Sequence, residues 1–291
     1  MNILITTDGR LHSEEAIRFT SELFKELKPK VTVMHVRPEN HPEETEEMGR
    51  KYLKTAAKIL KPFGIKATLK YEEGDTSECI LHAVDTGNFH LLVMGSQGHS
   101  SVLKGITGSL LHQSTEDVVS VSPLSILLVK NPPKKVRKVL LCTDGSTYAE
   151  SAIDFWGRLK KSYEPQVTLL NIVPNVLGGR FQSYVDTSVR KQLLHAFLTS
   201  DNPSAKLLKR GKIILEQYGI GDVDIKLREK KYAASEIIKE SEEGDYDLIV
   251  MGYQGVTEES SNKTPGTQSY EVLKHSQTSV LVHLPQKMKG V

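Results

Sequence analysis

The sequence predicts an α/β protein built from two tandem, doubly wound domains. Each is a five-stranded parallel sheet, and the two are related by a pseudo-twofold. Three observations predict this: the chain repeats itself once, each copy alternates apolar strands with amphipathic helices, and the strands are near-continuous Val/Ile/Leu runs. Such alternation gives parallel sheets with right-handed crossovers, and unbroken apolar strands are those buried on both faces.

The repeat is legible in four places. NILITTDGR (2–10) matches KVLLCTDGS (138–146), which sets Asp8 on Asp144. VTVMHVRPE (31–39) matches VTLLNIVPN (167–175), PFGIKATLK (62–70) matches QYGIGDVDIKL (217–227), and LLVMGSQG (91–98) matches LIVMGYQG (248–255). The second copy is longer, with an insertion at about 175–205. These matches predict a first domain at 1–130, a linker at 131–137 and a second domain at 138–285. The linker region KNPPKKVR holds two prolines and four basic residues and reads as a solvated connection.

The elements follow in order. A first strand (2–7; 138–143) ends in Thr-Asp-Gly. An amphipathic helix comes next, with Ser13 or Ser146 near its N-cap. Its apolar face carries Ala16, Phe19, Leu23 and Leu27, or Ala152, Phe155, Trp156 and Leu159. Strand two is VTVMHV or VTLLNI, and a long helix covers about 43–62 or 203–218. Strand three is IKATLKY or VDIKLR, followed by a short helix at 76–86 or 233–242. Strand four is HLLVMG or DLIVMG, then a glycine loop, a helix (108–119; 267–275) and a fifth strand, SILLVK or SVLVHL. In the insertion, Val185, Val189, Leu193 and Phe197 predict an extra helix near 185–199, packed on its own domain or serving as a lid or contact surface.

Composition excludes several functions. The 291 residues are 38% apolar and 25% charged, and 38 Lys plus Arg against 36 Asp plus Glu leave +2. Basic residues alternate with acids along helices, which argues against a nucleic-acid surface. Cys79 and Cys142 lack CxxC spacing and predict neither a disulfide framework nor a metal site. No apolar run is long enough to span a membrane. The N-terminus enters a strand without an export signal, so the expected location is cytoplasmic.

The candidate site is a crevice. In an open parallel sheet, ligands lie beyond the carboxyl ends of the strands where strand order reverses. If strand one is central, Asp8 and Gly95 converge there. The loop Gly95-x2-Gly98-x9-Gly108-Ser109 suits an anion. Its glycines turn freely and admit a ligand closely. Its amides form a positive concavity, and Gly108-Ser109 opens a helix whose first N–H groups and dipole favour negative charge. Two sets of amides would grip one polyphosphate, and the acceptor-only carboxylate of Asp8 suits ribose hydroxyls. His99 and Lys104 lie in the loop as candidate phosphate contacts. Neither GxxxxGK[ST] nor GxGxxG is present.

With Asp8, this glycine loop and the five-strand order in both halves, the chain resembles the universal stress protein family in its tandem form. The resemblance implies a doubly wound fold, Rossmann-like and flavodoxin-like, and a stress-response protein that binds ATP or AMP, with or without magnesium. It assigns ribose to Asp8 and adenine to the Val36 backbone, with Thr6 and Met94 beside it. Phosphates fall to Gly95, Gly98, Gly108, Ser109 and the amide of Leu110. The second half departs from the pattern: Gly252-x2-Gly255 is intact, but Gly266 comes one residue later, after Pro265 and before Thr267. Glu258 and Glu259 would repel phosphate there. Asp144 is retained, so the second site is expected to be empty, weaker or adapted to a less anionic ligand.

Three functions stay open: a nucleotide-binding regulator, a slow nucleotide hydrolase and a nucleotide-free scaffold. No catalytic residue is assigned, because no pair of base and orienting group accompanies Asp8. Relatives of this fold that cleave ATP at the α-phosphate carry a serine- and glycine-rich loop where this chain has TTDGR. The apolar fifth strands would be exposed sheet edges unless the two halves pair them within the chain. A homodimer of chains is left open.

Overall fold

The computed structural model describes residues 1–39, 43–96, 117–159, 164–173, 200–229, 232–255 and 265–285. Strand β1 (Asn2–Thr6) leads to helix α1 (Leu11–Phe24), β2 (Lys30–Arg37), α2 (Glu46–Leu60), β3 (Ala67–Glu73), α3 (Thr76–Thr86), β4 (Leu91–Gly95) and β5 (Ser125–Val129). The second half repeats this with β6 (Lys138–Cys142), α4 (Thr147–Leu159), β7 (Gln166–Val173), α5 (Pro203–Gln217), β8 (Val223–Glu229), α6 (Ala233–Glu243), β9 (Leu248–Gly252), α7 (Thr267–His275) and β10 (Ser279–His283). Helical residues 117–121 precede β5. The extra helix expected near 185–199 lies outside the described residues.

Among the described residues ten strands form one sheet, ordered β3-β2-β1-β4-β5-β10-β9-β6-β7-β8. Every rung is parallel except β5 with β10, which run antiparallel with Leu127 opposite Leu281. That pair marks the pseudo-twofold. Ser279 Oγ accepts from the Lys130 amide and donates to its carbonyl, both at 3.1 Å. Ser125 does the same for Leu284, at 3.0 and 3.3 Å. Each serine thereby extends the ladder past the end of the partner strand.

The two faces of the sheet carry two cores. On one, Phe19 and Leu23 of α1, Leu53 and Ile59 of α2, Trp156 of α4 and Leu208 of α5 pack together. On the other, Ile80 and Val84 of α3, Ile237 of α6 and Leu273 of α7 do so. The central strands β1, β4, β5, β6, β9 and β10 are almost fully buried, as their unbroken apolar runs require. The edge strand β3 is part-exposed.

Local chemistry sets the helix starts. Thr45 accepts from the Met48 amide, Asp75 from the Glu78 amide and Asn202 from the Ser204 amide, each satisfying a donor with no partner in its own helix. Ser146 caps α4 as expected, accepting from the Ala149 amide at 3.1 Å. Ser13 does not cap α1. The N-cap is Arg10, which supplies no side-chain bond, and Ser13 sits inside the first turn, donating to the Arg10 carbonyl at 2.8 Å.

Candidate functional site

In the first half, strand order reverses between β1 and β4, and the predicted residues gather at the carboxyl ends of β2, β1 and β4. Thr6 closes β1 opposite Met34, and its hydroxyl lies 3.5 Å from the Val93 carbonyl. Val36 and Met94 are buried on the same face of the sheet. The last bond from β1 into β2 runs from the Thr7 amide to the Met34 carbonyl at 2.9 Å. Parallel strands present alternate residues to each neighbour. Val36 therefore turns its backbone groups to the β1 side, one step beyond the final rung.

Asp8 is held by its own turn. Oδ1 accepts from the Arg10 amide at 3.1 Å. Oδ2 faces His12 Nε2 at 3.3 Å and Arg10 Nε at 3.6 Å. That buried oxygen has no well-aligned hydrogen bond among the described residues, which leaves it acceptor capacity for a ligand hydroxyl. Burial raises its pKa. The polar contact and positive charge of His12, with Ser13 and the Arg10 amide, outweigh burial and hold it at about 2. Asp8 is thus a charged acceptor at neutral pH.

The turn is braced from beneath. Thr7 Oγ1 lies 3.0 Å from Ser13 Oγ and accepts from the Gly9 amide at 3.2 Å. Gly9 adopts φ +71°, and a Cβ there would also lie 2.2 Å from the Tyr52 ring. His35 Nδ1 donates to the Thr7 carbonyl at 2.8 Å. Gly95 has a packing reason of its own: a Cβ would stand 2.8 Å from the His12 carbonyl oxygen. The remaining first-half positions, Gly98, His99, Lys104, Gly108, Ser109 and Leu110, lie outside the described residues.

The second half builds the same turn and covers it. Asp144 Oδ1 accepts from the Ser146 amide at 2.9 Å, and Asn171 Nδ2 donates to the Thr143 carbonyl at 2.6 Å. Ser146 Oγ donates to the Gln254 carbonyl at 3.3 Å, and a Cβ on Gly255 would lie 2.9 Å from Asp144 Oδ2. The turn after β9 therefore rests directly on Asp144. The Gly266 amide donates to the Tyr253 carbonyl at 2.7 Å, and Ser269 Oγ donates to the Gly252 carbonyl at 2.8 Å. Thr267 opens α7 behind them. The Gly266 amide, which the repeat would offer to a phosphate, is thus bonded internally.

The universal stress protein family model matches residues 1–130 and again 135–283. The chain belongs to the universal stress protein family. Among solved structures, a universal stress protein from Archaeoglobus fulgidus shares 20% identity at a TM-score of 0.66, covering 97% of each chain. A functionally unknown protein from Pseudomonas aeruginosa PAO1 shares 14% identity at 0.59, covering 97% of this chain and 92% of the other. At these identities the likeness is one of fold, and its full-length coverage fits the tandem form of the family. Comparison with curated proteins finds no match.

This universal stress protein shows no group of three or more His, Cys, Asp or Glu side chains placed to hold a metal ion among its described residues. No helix among them is long and apolar enough to cross a membrane. The sequence reading missed His35, Glu44 and Tyr52. One signal was present: His35 and Asn171 are polar residues at the same repeat position inside otherwise apolar strands.

Proposed function

We propose that this universal stress protein binds an adenine nucleotide, ATP or AMP, in its first half and acts as a nucleotide-responsive regulator rather than as an enzyme. Asp8 would take the ribose hydroxyls and the Val36 backbone the adenine edge, between Thr6 and Met94. The loop from Gly95 through Gly98, Gly108, Ser109 and Leu110 would take the phosphates, with His99 and Lys104 at its rim. The observation that carries this reading is the state of Asp8 at the switch point between β1 and β4. Asp8 is charged at neutral pH, and its Oδ2 has no well-aligned hydrogen bond among the described residues. A buried acceptor short of hydrogen bonds stabilises a ligand that supplies them.

The domain division at 131–137 belongs to this proposal, as does pairing of the halves across β5 and β10 in solution in place of pairing between chains. Titration calorimetry with ATP and with AMP tests the reading. It expects one site per chain, weakened at least about tenfold by Asp8→Ala through loss of charge-assisted bonds. Absence of heat with every adenine nucleotide, in protein stripped of bound ligand, would overturn it. Steady phosphate release with magnesium that Asp8→Ala abolishes would favour the hydrolase instead.

A further inference from the structure

We propose that His35 is a positioning residue for the Asp8 turn, and that its pairing with Glu44 makes the placement of that turn depend on pH. This rests on the reading of the first half as nucleotide-binding.

His35 lies in β2 and is 2% exposed. Its two ring nitrogens have different tasks. Nδ1 faces the Thr7 carbonyl at 2.8 Å, and a carbonyl can only accept, so Nδ1 carries a proton. Nε2 stands 2.8 Å from a Glu44 carboxylate oxygen, just ahead of the α2 cap Thr45. Through these contacts one imidazole joins the residue preceding Asp8 to the entry of α2. Packing leaves it little freedom. The Tyr52 ring meets it edge-on at 5.3 Å and Tyr71 lies at 6.0 Å. A Cβ on Gly49 would stand 2.7 Å from its Cδ2.

The other half supplies an internal comparison. Asn171 occupies the matching position and holds the Thr143 carbonyl with a side chain that does not titrate. The residue under the turn there is Leu207, where the first half has Tyr52. Holding the carbonyl therefore does not require a histidine. What the histidine adds is the second nitrogen and its acid partner.

The charged and titratable groups around His35 come from every neighbouring element. Glu44 precedes α2 and Tyr52 lies within it. Tyr71 of β3 donates to Glu73, which pairs with Arg37 at 2.6 Å. Asp8, Arg10 and His12 form the turn above. Burial and the charges of Glu44 and Asp8 push the Tyr52 phenol up, away from neutrality, and imidazole is the side-chain type whose ordinary charge change falls near it. With two protons the ring donates to the carbonyl and sets its positive charge 2.8 Å from the Glu44 carboxylate, a charge contact without a well-aligned hydrogen bond. After losing one it keeps Thr7 but no longer offers Glu44 a positive charge, which releases the entry of α2 and loosens the turn.

The experiment combines NMR and calorimetry on the full chain from about pH 5 to 9, the range spanning imidazole titration. The ring resonance of His35 is assigned by its loss in His35→Asn. In the protein without ligand, the amides of Thr7 to Arg10 should shift together with that resonance. AMP affinity should fall at least about fivefold as the ring loses its proton, a coupling in the usual range. His35→Asn, copying the second half, should bind AMP without that component, and Glu44→Gln should flatten it too. His12→Gln should retain it. A His35→Asn profile that follows the wild type, or amides indifferent to the His35 titration, would overturn the inference. If AMP gives no heat at any pH the nucleotide reading fails, and the amide shifts alone then decide the coupling.

Discussion

The ammonium of Lys130 donates to the carbonyl oxygen of Leu273 at 2.6 Å, across the seam between the two halves. It also reaches the carbonyls of Lys274 at 3.2 Å and Ser276 at 2.8 Å, at the carboxyl end of α7. A helix end leaves such carbonyls without partners and carries partial negative charge, so a buried lysine is at home there. The reverse contact uses different chemistry. The Tyr253 hydroxyl donates to the Ser122 carbonyl at 2.5 Å, at the end of the helical residues of the first half. Each half caps the last helix of the other.

Lys130→Met keeps most of the apolar stem and removes the charge. It should destabilise the protein by about 2–3 kcal/mol, since three carbonyls lose a charged donor. Urea unfolding followed by tryptophan fluorescence reads this out, because Trp156 is fully buried in the second half. An unchanged midpoint would mean that water replaces the ammonium without cost.

Gly95→Ala and Gly252→Ala should separate packing from binding. The added Cβ would meet the His12 carbonyl oxygen at 2.8 Å in one case and the Ala149 amide nitrogen at 2.6 Å in the other. Backbone cannot swing aside as a side-chain tip can, so each should cost about 1–3 kcal/mol. Only Gly95→Ala should also weaken ATP, measured by calorimetry. Equal effects of both variants on affinity would place a ligand in the second half.

His283 should make the seam acid-sensitive. Its ring stacks on Phe155 at 4.4 Å, with Nδ1 3.2 Å from Ser125 Oγ. Burial depresses its pKa to about 4. The unfolded chain then binds a proton near the ordinary histidine value that the folded chain refuses. Stability is therefore full above about pH 6.5 and falls between there and about pH 4, by about 2–3 kcal/mol. His283→Phe should flatten that window in thermal melts at fixed ionic strength.

Asp8 should act in a lower window. Its folded pKa of about 2 lies below the ordinary value, so its contribution is present above about pH 4 and is lost as pH falls toward 2, by about 2 kcal/mol. Asp8→Asn should remove this acid-dependent part while leaving the His283 window intact. A wild-type acid profile in Asp8→Asn would show that the carboxylate is not held charged by its turn.

The fold was legible because its signals are local. Apolar runs such as LLVMG and SILLV mark strands buried on both faces, and the TTDG and CTDG copies mark the ends of β1 and β6. The place of Asp8 just past the end of the first strand followed from the apolar run before it. Its bracing did not. His35 reads in sequence as one polar residue inside an apolar strand, and nothing local says that its nitrogens reach Thr7 and Glu44. Ser13 misled for the same reason: a serine near a helix start suggests a cap, but Arg10 holds that position and Ser13 is drawn into the first turn by Thr7.

By itself the sequence determined two α/β copies, the succession of strands and helices in each and an acidic residue at the end of each first strand, because hydrophobic periodicity and repetition are written along the chain. Only the tertiary structure decided that the second copy closes over Asp144, that Lys130 and Tyr253 cap helices across the seam, and that a histidine steadies the Asp8 turn. Each of these contacts joins residues far apart in sequence, and most end on a backbone carbonyl or amide. Those groups are the same at nearly every residue, so their use is decided by where the fold sets them, not by the residue letters.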